Sequence, residues 1–147
     1  MNKPVKAVAL LLLNVSLILL IGCSHPEPAV KPEPHEEAEA FARTEFTDRI
    51  ENYFEYEPLH AGKPSQVRIH LTDLSDGTPV EQAEVSLTVR RKGSTEATTQ
   101  TTAKIGKVTG IYVAQLNVPQ AGEYDVEFRI KNSKLDEHLP LKDFKVE

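Results

Sequence analysis

The sequence is poor in the residues that build covalent frameworks or soft-metal sites. It holds one cysteine, Cys23, and one methionine, Met1, and it has no tryptophan. A single cysteine cannot form a disulfide framework or a multi-cysteine metal site. Without further methionines the chain also lacks the thioether ligands that Cu(I) prefers. Histidine and carboxylate side chains are left as the candidate metal ligands.

Catalytic motifs are also missing. There is no glycine-rich phosphate-binding loop, and no serine, histidine and aspartate form a recognisable local motif. The formal net charge is −5 at pH 7, and removing residues 1–22, which contain two lysines and no acids, makes it −7. This balance argues against nucleic acid as a partner, because phosphate backbones bind basic surfaces. The sequence therefore predicts a protein that is not an enzyme and does not bind nucleic acid.

The N-terminus carries the pattern of a targeting signal. Lys3 and Lys6 precede an apolar run over residues 7–21 that contains only two polar side chains. As a helix this run would be roughly 22 Å long, which is shorter than the ~30 Å hydrocarbon core of a bilayer. Residues 1–22 are therefore predicted to form a signal peptide rather than a permanent spanning helix.

The segment Leu20-Ile21-Gly22-Cys23 resembles the bacterial lipobox. In that family lipid is attached to the cysteine thiol, and cleavage leaves the cysteine as the first mature residue. The resemblance implies lipidation of Cys23 and a periplasm-facing chain, stably anchored to a membrane because several acyl chains are attached. Ser24 stands where an aspartate commonly retains such proteins in the inner membrane, so the outer membrane is favoured and the inner membrane is the alternative. An uncleaved apolar anchor, the other interpretation, also holds the chain at a membrane.

Residues 23–43 have the composition of a tether. Four prolines and several acids lie between His25 and Glu37, with almost nothing to bury. Proline keeps such a segment extended, and its low apolar content keeps it unfolded. We expect residues 23–43 to lift the following domain off the bilayer, with a short helical turn over residues 36–43 as an option for the end of the segment.

From residue 44 onward, apolar and polar side chains alternate with period two, which is typical of half-buried antiparallel strands. Seven strands are predicted, including a weak threonine-rich edge strand over residues 95–103 and a last strand over residues 139–146. In the last strand Leu141 and Phe144 are out of phase, which either a bulge or a crossover between sheets would reconcile. Turn-forming residues separate them. We predict an all-β, immunoglobulin-like antiparallel sandwich over residues 44–147. The apolar positions of the four clearest strands are Val67, Ile69 and Leu71; Val85, Leu87 and Val89; Tyr112, Ala114, Leu116 and Val118; and Tyr124, Val126, Phe128 and Ile130.

Tyr124 lies at the start of a late strand, in the segment Gly122-Glu123-Tyr124-Asp125-Val126. This segment resembles the tyrosine corner of immunoglobulin-like domains, in which the hydroxyl bonds to backbone a few residues upstream. An ordinary core tyrosine is the alternative.

Two longer stretches resemble a known domain. Residues 47–65 run into His70-Leu71-Thr72-Asp73-Leu74, and Pro79-Val80, Gly110-Ile111-Tyr112 and residues 119–124 follow in order. This order is similar to the N-terminal domain of periplasmic adaptor subunits of heavy-metal efflux systems, the CusB-like branch of the HlyD or membrane-fusion family, and to the related YtkA-like domains. Full adaptors continue into a lipoyl-like domain, a helical hairpin and a β-barrel. We therefore expect a free-standing accessory copy of the domain or a truncated adaptor.

Because the resembled family transports metal ions, the histidines are candidate ligands. His25 and His35 suggest a loose site on the tether, and a cluster of His60, His70 and Asp73 is the candidate within the domain. Imidazole and carboxylate suit Zn, Cu(II), Ni or Co. The alternatives are a solvated acidic linker with incidental histidines, a surface role for His70, and turn initiation by Asp73.

The function implied by the resemblance is that of an accessory or interaction module of a heavy-metal, RND-type efflux system. Such a module would dock on the pump, the adaptor or the outer-membrane channel. The alternatives are a stand-alone metal-binding lipoprotein that acts as a buffer or chaperone, an adhesive or structural envelope sandwich, and a truncated adaptor remnant.

Overall fold

The computed structural model describes residues 39–147, which form nine strands. Among these residues there is no helix long and apolar enough to cross a membrane. The predicted signal peptide, Cys23, His25, His35 and the tether as far as residue 38 lie outside the described residues. The strands are β1 (Phe41–Phe46), β2 (Ile50–Tyr56), β3 (Pro64–Asp73), β4 (Glu84–Arg91), β5 (Ala97–Thr102), β6 (Lys104–Ile105), β7 (Ile111–Asn117), β8 (Gly122–Lys131) and β9 (Asp136–Val146).

The strands form two antiparallel sheets. The first sheet has the order β1-β2-β3-β7-β6 and the second has the order β5-β4-β8-β9. After β3 the chain passes from one sheet to the other and back, so that β3 pairs with β7 and β4 pairs with β8. This arrangement confirms the predicted all-β sandwich, and β1 and the two-residue β6 are additions to the seven predicted strands.

The core lies between the two sheets and is built by the alternating apolar positions. The ring of Phe54 in the first sheet lies 4.9 Å, centroid to centroid, from that of Phe128 in the second. Such tilted aromatic pairs stabilise a core beyond the area that they bury. All the apolar positions that the four clearest predicted strands contributed are buried.

The last strand contains a bulge, which is one of the two options that its sequence predicts. Tyr124 of β8 pairs with Phe144, whereas Val126 pairs with Leu141, so β9 has one residue more than β8 over this stretch. Asp143 has a φ of 67°, a left-handed conformation that non-glycine residues adopt mainly at such irregularities. The extra residue brings Leu141 and Phe144 to the same buried side of β9.

The first strand was not predicted. β1 begins at Phe41, before residue 44, and it is extended where the sequence suggested a helical turn for residues 36–43. It pairs with β2 along its whole length. The guanidinium of Arg43 lies 5.0 Å from the centre of the Phe144 ring and donates to the carbonyl of Lys142 at 3.0 Å. Arg43 and Glu45 occupy the inner side of β1, where apolar side chains would have revealed a strand.

Candidate interaction surface

The turns at one end of the sandwich are closed by side chains of the resembled motif. The hydroxyl of Thr47 accepts the backbone N–H groups of Arg49 and Ile50, both at 3.1 Å. A carboxylate oxygen of Asp73 accepts the N–H of Ser75 at 2.9 Å and its hydroxyl at 2.6 Å. These two bonds from Ser75 lower the pKa of the Asp73 carboxyl. Asp73 therefore has the turn-forming role that was the alternative to metal binding.

The predicted cluster of His60, His70 and Asp73 is not formed. His60 lies in the loop before β3, whereas Asp73 is the last residue of that ten-residue strand. A strand of this length spans roughly 30 Å, so the two side chains lie at opposite ends of the sandwich. Within residues 39–147 no three histidine, cysteine or acidic side chains are placed to hold a metal ion. The sequence contains the right types of metal ligand, but it did not show that an extended strand separates His60 from Asp73.

Two other motif segments fix the loop between β3 and β4. The buried hydroxyl of Tyr112 donates to the carbonyl of Val80 at 2.8 Å and accepts the N–H of Ala83 at 3.0 Å. Gly110 has a φ of 78°, and a Cβ at this position would lie 2.5 Å from the Cβ of Pro79. Only glycine therefore fits this close approach. Both segments serve the fold rather than a chemical site.

The tyrosine-corner bond is present at the opposite end. The hydroxyl of Tyr124 donates to the carbonyl of Gln120 at 2.8 Å. The ring itself is buried, so the bond ties the connection between β7 and β8 to the core.

A polar cleft of about 540 Å³ lies between the β3–β4 loop and the β8–β9 turn. Its lining groups are bonded mainly to one another. The amide nitrogen of Asn132 donates to the carbonyl of Glu81 at 3.1 Å, and its oxygen accepts the N–H of Lys134 at 2.8 Å. A carboxylate oxygen of Asp76 likewise accepts the backbone N–H and the hydroxyl of Thr78, at 3.0 and 2.7 Å. These bonds stabilise the loops that line the cleft, so the groups serve the fold of those loops.

The solvent side of the first sheet offers a different kind of surface. We call it the outer face, and it consists of two rows of side chains that cross β2, β3 and β7. The rows are Tyr53, His70 and Ile111, and Glu55, Arg68 and Val113.

The outer face combines an aromatic pair with an ion pair. The rings of Tyr53 and His70 meet edge to face, with 5.3 Å between their centroids. The hydroxyl of Tyr53 donates to Glu55 at 2.9 Å, and this bond is the main cause that raises the pKa of Tyr53. The second oxygen of Glu55 lies 3.7 Å from the guanidinium of Arg68. Phe46, 59% exposed, lies beside this surface on β1.

His70 differs from the other residues of the motif. Its Nε2 atom is covered, yet it has no hydrogen-bond partner among residues 39–147. A polar atom shielded from water without a partner is unfavourable unless something satisfies it. The alternation of β3 placed His70 on the polar side of the strand, but the neighbours that surround it come from β2 and β7 and were not readable from the sequence.

Comparisons with known proteins give a family and distant structural likenesses. A model of the YtkA-like family matches residues 48–129. Among solved structures, a superoxide reductase (neelaredoxin) from Ignicoccus hospitalis is 17% identical, with 78% of this chain and 87% of that chain covered and a TM-score of 0.38. No curated protein matches the chain. The segment that the family model matches runs from the β1–β2 turn into β8 and contains every residue of the outer face.

Proposed function

Because this chain belongs to the YtkA-like family, we propose that it is a non-enzymatic accessory module of a heavy-metal efflux system, held at a membrane by lipid on Cys23. The module binds a protein of that system through the outer face. The resemblance of residues 44–147 to the N-terminal domain of efflux adaptors supports the choice of system. The outer face carries the proposal, and His70 at its centre has an Nε2 atom without a hydrogen-bond partner in the part of the chain from residue 39 to 147.

The chemistry of the outer face suits a protein partner. Tyrosine and arginine are enriched at the centres of protein interfaces, because each buries a large rigid or planar group and keeps a polar end for hydrogen bonding. Tyr53 and Arg68 supply these groups, and Ile111 and Val113 supply half-buried apolar area beside them on β7. Because the Nε2 atom of His70 is covered, a partner has to displace the neighbouring side chains before it can bond to Nε2, and this bond would remove the unfavourable isolation of the atom.

Protein docking agrees better with the structure than metal storage by the sandwich. Other motif side chains, including Thr47, Asp73 and Tyr112, are used to close turns and loops, and the candidate ligands His60 and Asp73 are far apart. Storage or delivery of Zn, Cu(II), Ni or Co would have to rest on His25 and His35 of the tether.

Affinity purification of the full chain from metal-stressed cells of the source organism tests the proposal. We expect the wild-type chain to recover a pump, adaptor or channel component, and the His70→Ala variant to recover it about tenfold less, as for loss of an interface hot spot. His138→Ala is the matched control. His138 lies on the outer side of the second sheet, where its Nδ1 atom is already bonded to Glu127 at 2.9 Å.

Equal recovery with both variants would show that the outer face is not the docking surface. Recovery of no efflux component by the wild-type chain would contradict the assignment to efflux.

The anchor is tested separately. We expect mass spectrometry to find lipid on Cys23 and none on the Cys23→Ser variant. The mass is the readout, because an uncleaved segment 1–22 would hold the variant at a membrane as well. An unmodified thiol on Cys23 in the mature chain would contradict this part of the proposal.

A further inference from the structure

The hairpin that joins β6 to β7 exposes two apolar side chains. Ile105 and Val108 are 64% and 61% exposed, which makes them the most exposed large apolar side chains of residues 39–147. Single exposed apolar side chains are common on protein surfaces, but neighbouring ones often mark a surface that binds something apolar. We call residues 104–108 the hairpin tip.

The backbone of the hairpin is fixed, so the exposure does not come from a loose loop. The N–H of Gly106 donates to the carbonyl of Ile111 at 2.7 Å, and the N–H of Ile111 donates to the carbonyl of Val108 at 3.1 Å. The carbonyl of Gly110 accepts the N–H of Leu71 in β3 at 3.0 Å. A Cβ on Gly106 would lie 2.9 Å from the carbonyl oxygen of Ile111, so glycine permits this close approach. The hairpin therefore holds its apolar side chains toward solvent.

Two lysines alternate with the apolar side chains. The hairpin tip has the sequence Lys104-Ile105-Gly106-Lys107-Val108. Both lysines are exposed, and neither forms an ion pair within residues 39–147. Glu81 shares a cleft of about 180 Å³ with Lys107, but no salt bridge joins the two side chains. The hairpin tip is therefore a local cationic and apolar site on a chain whose net charge is negative.

The β4–β5 turn offers a comparison within the same domain. Residues 92–95 of this turn contain no large apolar side chain, and Lys92 pairs with Glu123 at 2.8 Å. The turn follows β4, whereas Gly110 of the β6–β7 hairpin lies against Pro79, before β4. Since β4 has eight residues, roughly 25 Å of strand separates the two turns. The combination of free lysines and exposed apolar side chains thus belongs to one end of the sandwich.

A bilayer that contains anionic lipids supplies both an apolar and an acidic surface. Residues 23–41 span at most roughly 60 Å when fully extended, whereas β9, the longest strand with eleven residues, spans roughly 36 Å. A chain with lipid on Cys23 can therefore bring any side of the domain back to its own bilayer. The lipid also makes such a contact intramolecular, so that a contact too weak to form alone can form.

We propose that the hairpin tip is a membrane-contact site, at which Ile105 and Val108 enter the bilayer interface and the two lysines bind anionic lipid head groups. This proposal rests on the proposed anchor at Cys23. Apolar side chains flanked by lysine are typical of segments that lie in the interface, and each lysine is attracted by the anionic surface. A protein partner suits the hairpin tip less well, because lysine is depleted at protein interfaces.

Fluorescence quenching in the full lipidated chain tests the contact. Lipid on Cys23 occupies its thiol, so an environment-sensitive dye on Val108→Cys reports on the hairpin tip. The vesicles contain equal parts of phosphatidylethanolamine and phosphatidylglycerol, with nitroxide-labelled acyl chains as quencher. We expect a blue shift and a loss of fluorescence for the dye at this position. Thr95→Cys, which changes an exposed residue of the β4–β5 turn, is the matched control and should stay unquenched. Equal quenching at the two positions would overturn the proposal.

Removal of the lysines tests the lipid class. In the dye-labelled Val108→Cys chain, Lys104→Gln and Lys107→Gln should each lower the ratio of quenched to unquenched dye about fivefold on these vesicles. Neither substitution should have this effect on vesicles of phosphatidylcholine, which carries no net charge. Equal losses on both kinds of vesicle would overturn the assignment to anionic lipids.

The same experiment separates a failure of the hairpin contact from a failure of the anchor. If the wild-type chain takes up dye, its Cys23 thiol is free, and the anchor is contradicted together with this proposal. If the chain is anchored but the dye on Val108→Cys stays in water, only the hairpin contact is contradicted. A blue shift without lipid that rises with the concentration of the chain would indicate a second copy, and one that requires an efflux component would indicate protein docking. Both would overturn the proposal.

Discussion

At the scale of single residues, two buried polar side chains have opposite environments. Ser65 donates its hydroxyl to the carbonyl of Glu57 at 2.9 Å. Asn52 is 0% exposed and lies on the inner side of β2 between Ile50 and Phe54. Neither its amide nitrogen nor its oxygen has a hydrogen-bond partner among the described residues. An unpaired buried amide opposes folding, because it has lost its bonds to water without replacing them.

Replacement of these two residues should therefore change stability in opposite directions. We expect Asn52→Leu to raise the free energy of unfolding by about 1–3 kcal/mol, because it removes an unpaired polar group and fills a similar shape. Ser65→Ala should lower it by about 1 kcal/mol, because it leaves the Glu57 carbonyl unpaired. Urea unfolding of the full chain measures both, and a stability loss in Asn52→Leu would contradict this account of the amide.

The pH dependence of stability has a residue-scale source in Asp136. Two bonds of 3.0 Å from the guanidinium of Arg129 are the main cause that lowers the pKa of the Asp136 carboxyl from 3.8 to about 2. Since the folded pKa lies below the unfolded value, the contribution to stability is present above pH 3.8 and is lost as the pH falls toward 2.

Substitution of Asp136 should accordingly reduce the loss of folding stability in acid. We expect Asp136→Asn to lose less stability than the wild-type chain between about pH 4 and pH 2. Asp48→Asn is the control, because Asp48 is exposed and has no ion pair within residues 39–147. Identical pH profiles for Asp136→Asn and wild type, measured by thermal unfolding, would contradict the role of the Arg129 pair.

At the scale of elements, the strands with regular alternation were predictable and the others were not. β3, β4, β7 and β8 alternate because one side of each faces the core. β1 escaped prediction because Arg43 and Glu45 occupy its inner side, and β6 is too short to carry a period. The irregularity in β9 was predictable, since Leu141 and Phe144 are three residues apart and cannot both face one core from a regular strand. The choice of a bulge over a crossover between sheets came from the structure.

Glycine matters more at position 110, which packs against the β3–β4 loop, than at position 77 within that loop. Gly110 and Gly77 both have positive φ, of 78° and 72°, but only at Gly110 does an added Cβ collide with a neighbour, Pro79. We expect Gly77→Ala to cost about 1–2 kcal/mol for backbone strain alone. Gly110→Ala should cost about 2–5 kcal/mol, because the clash is added to that strain. Chemical denaturation distinguishes them, and equal losses would contradict the close packing of the loop.

The candidate site was predictable only in part. Period two placed His70 on the polar side of β3, and the turn signals gave Asp73 its alternative role. The grouping of His60, His70 and Asp73 was wrong, because nearness in sequence becomes distance along an extended strand. Tyr53 and Arg68 lie near His70 on the outer face because of the register of β2 with β3. This register cannot be derived from a single sequence.

At the scale of the whole molecule, the described domain presents surfaces with different roles. The outer face of the first sheet, with Tyr53, Arg68 and His70, is the surface proposed to dock on an efflux component. The loops at the end of the sandwich bond their polar groups to one another, as Asp73 and Asp76 do with Ser75 and Thr78. A lipid on Cys23 would hold the outer face close to partners in the same membrane and raise their rate of encounter.

Metal tolerance of a deletion strain tests the central claim, that the outer face serves metal efflux, most directly. The account predicts that deletion of this chain lowers tolerance to at least one of Zn, Cu(II), Ni and Co. The wild-type chain and the His138→Ala variant should restore tolerance, whereas His70→Ala, produced and localised at the same level, should not. Unchanged tolerance in the deletion strain, or full restoration by His70→Ala, would contradict it.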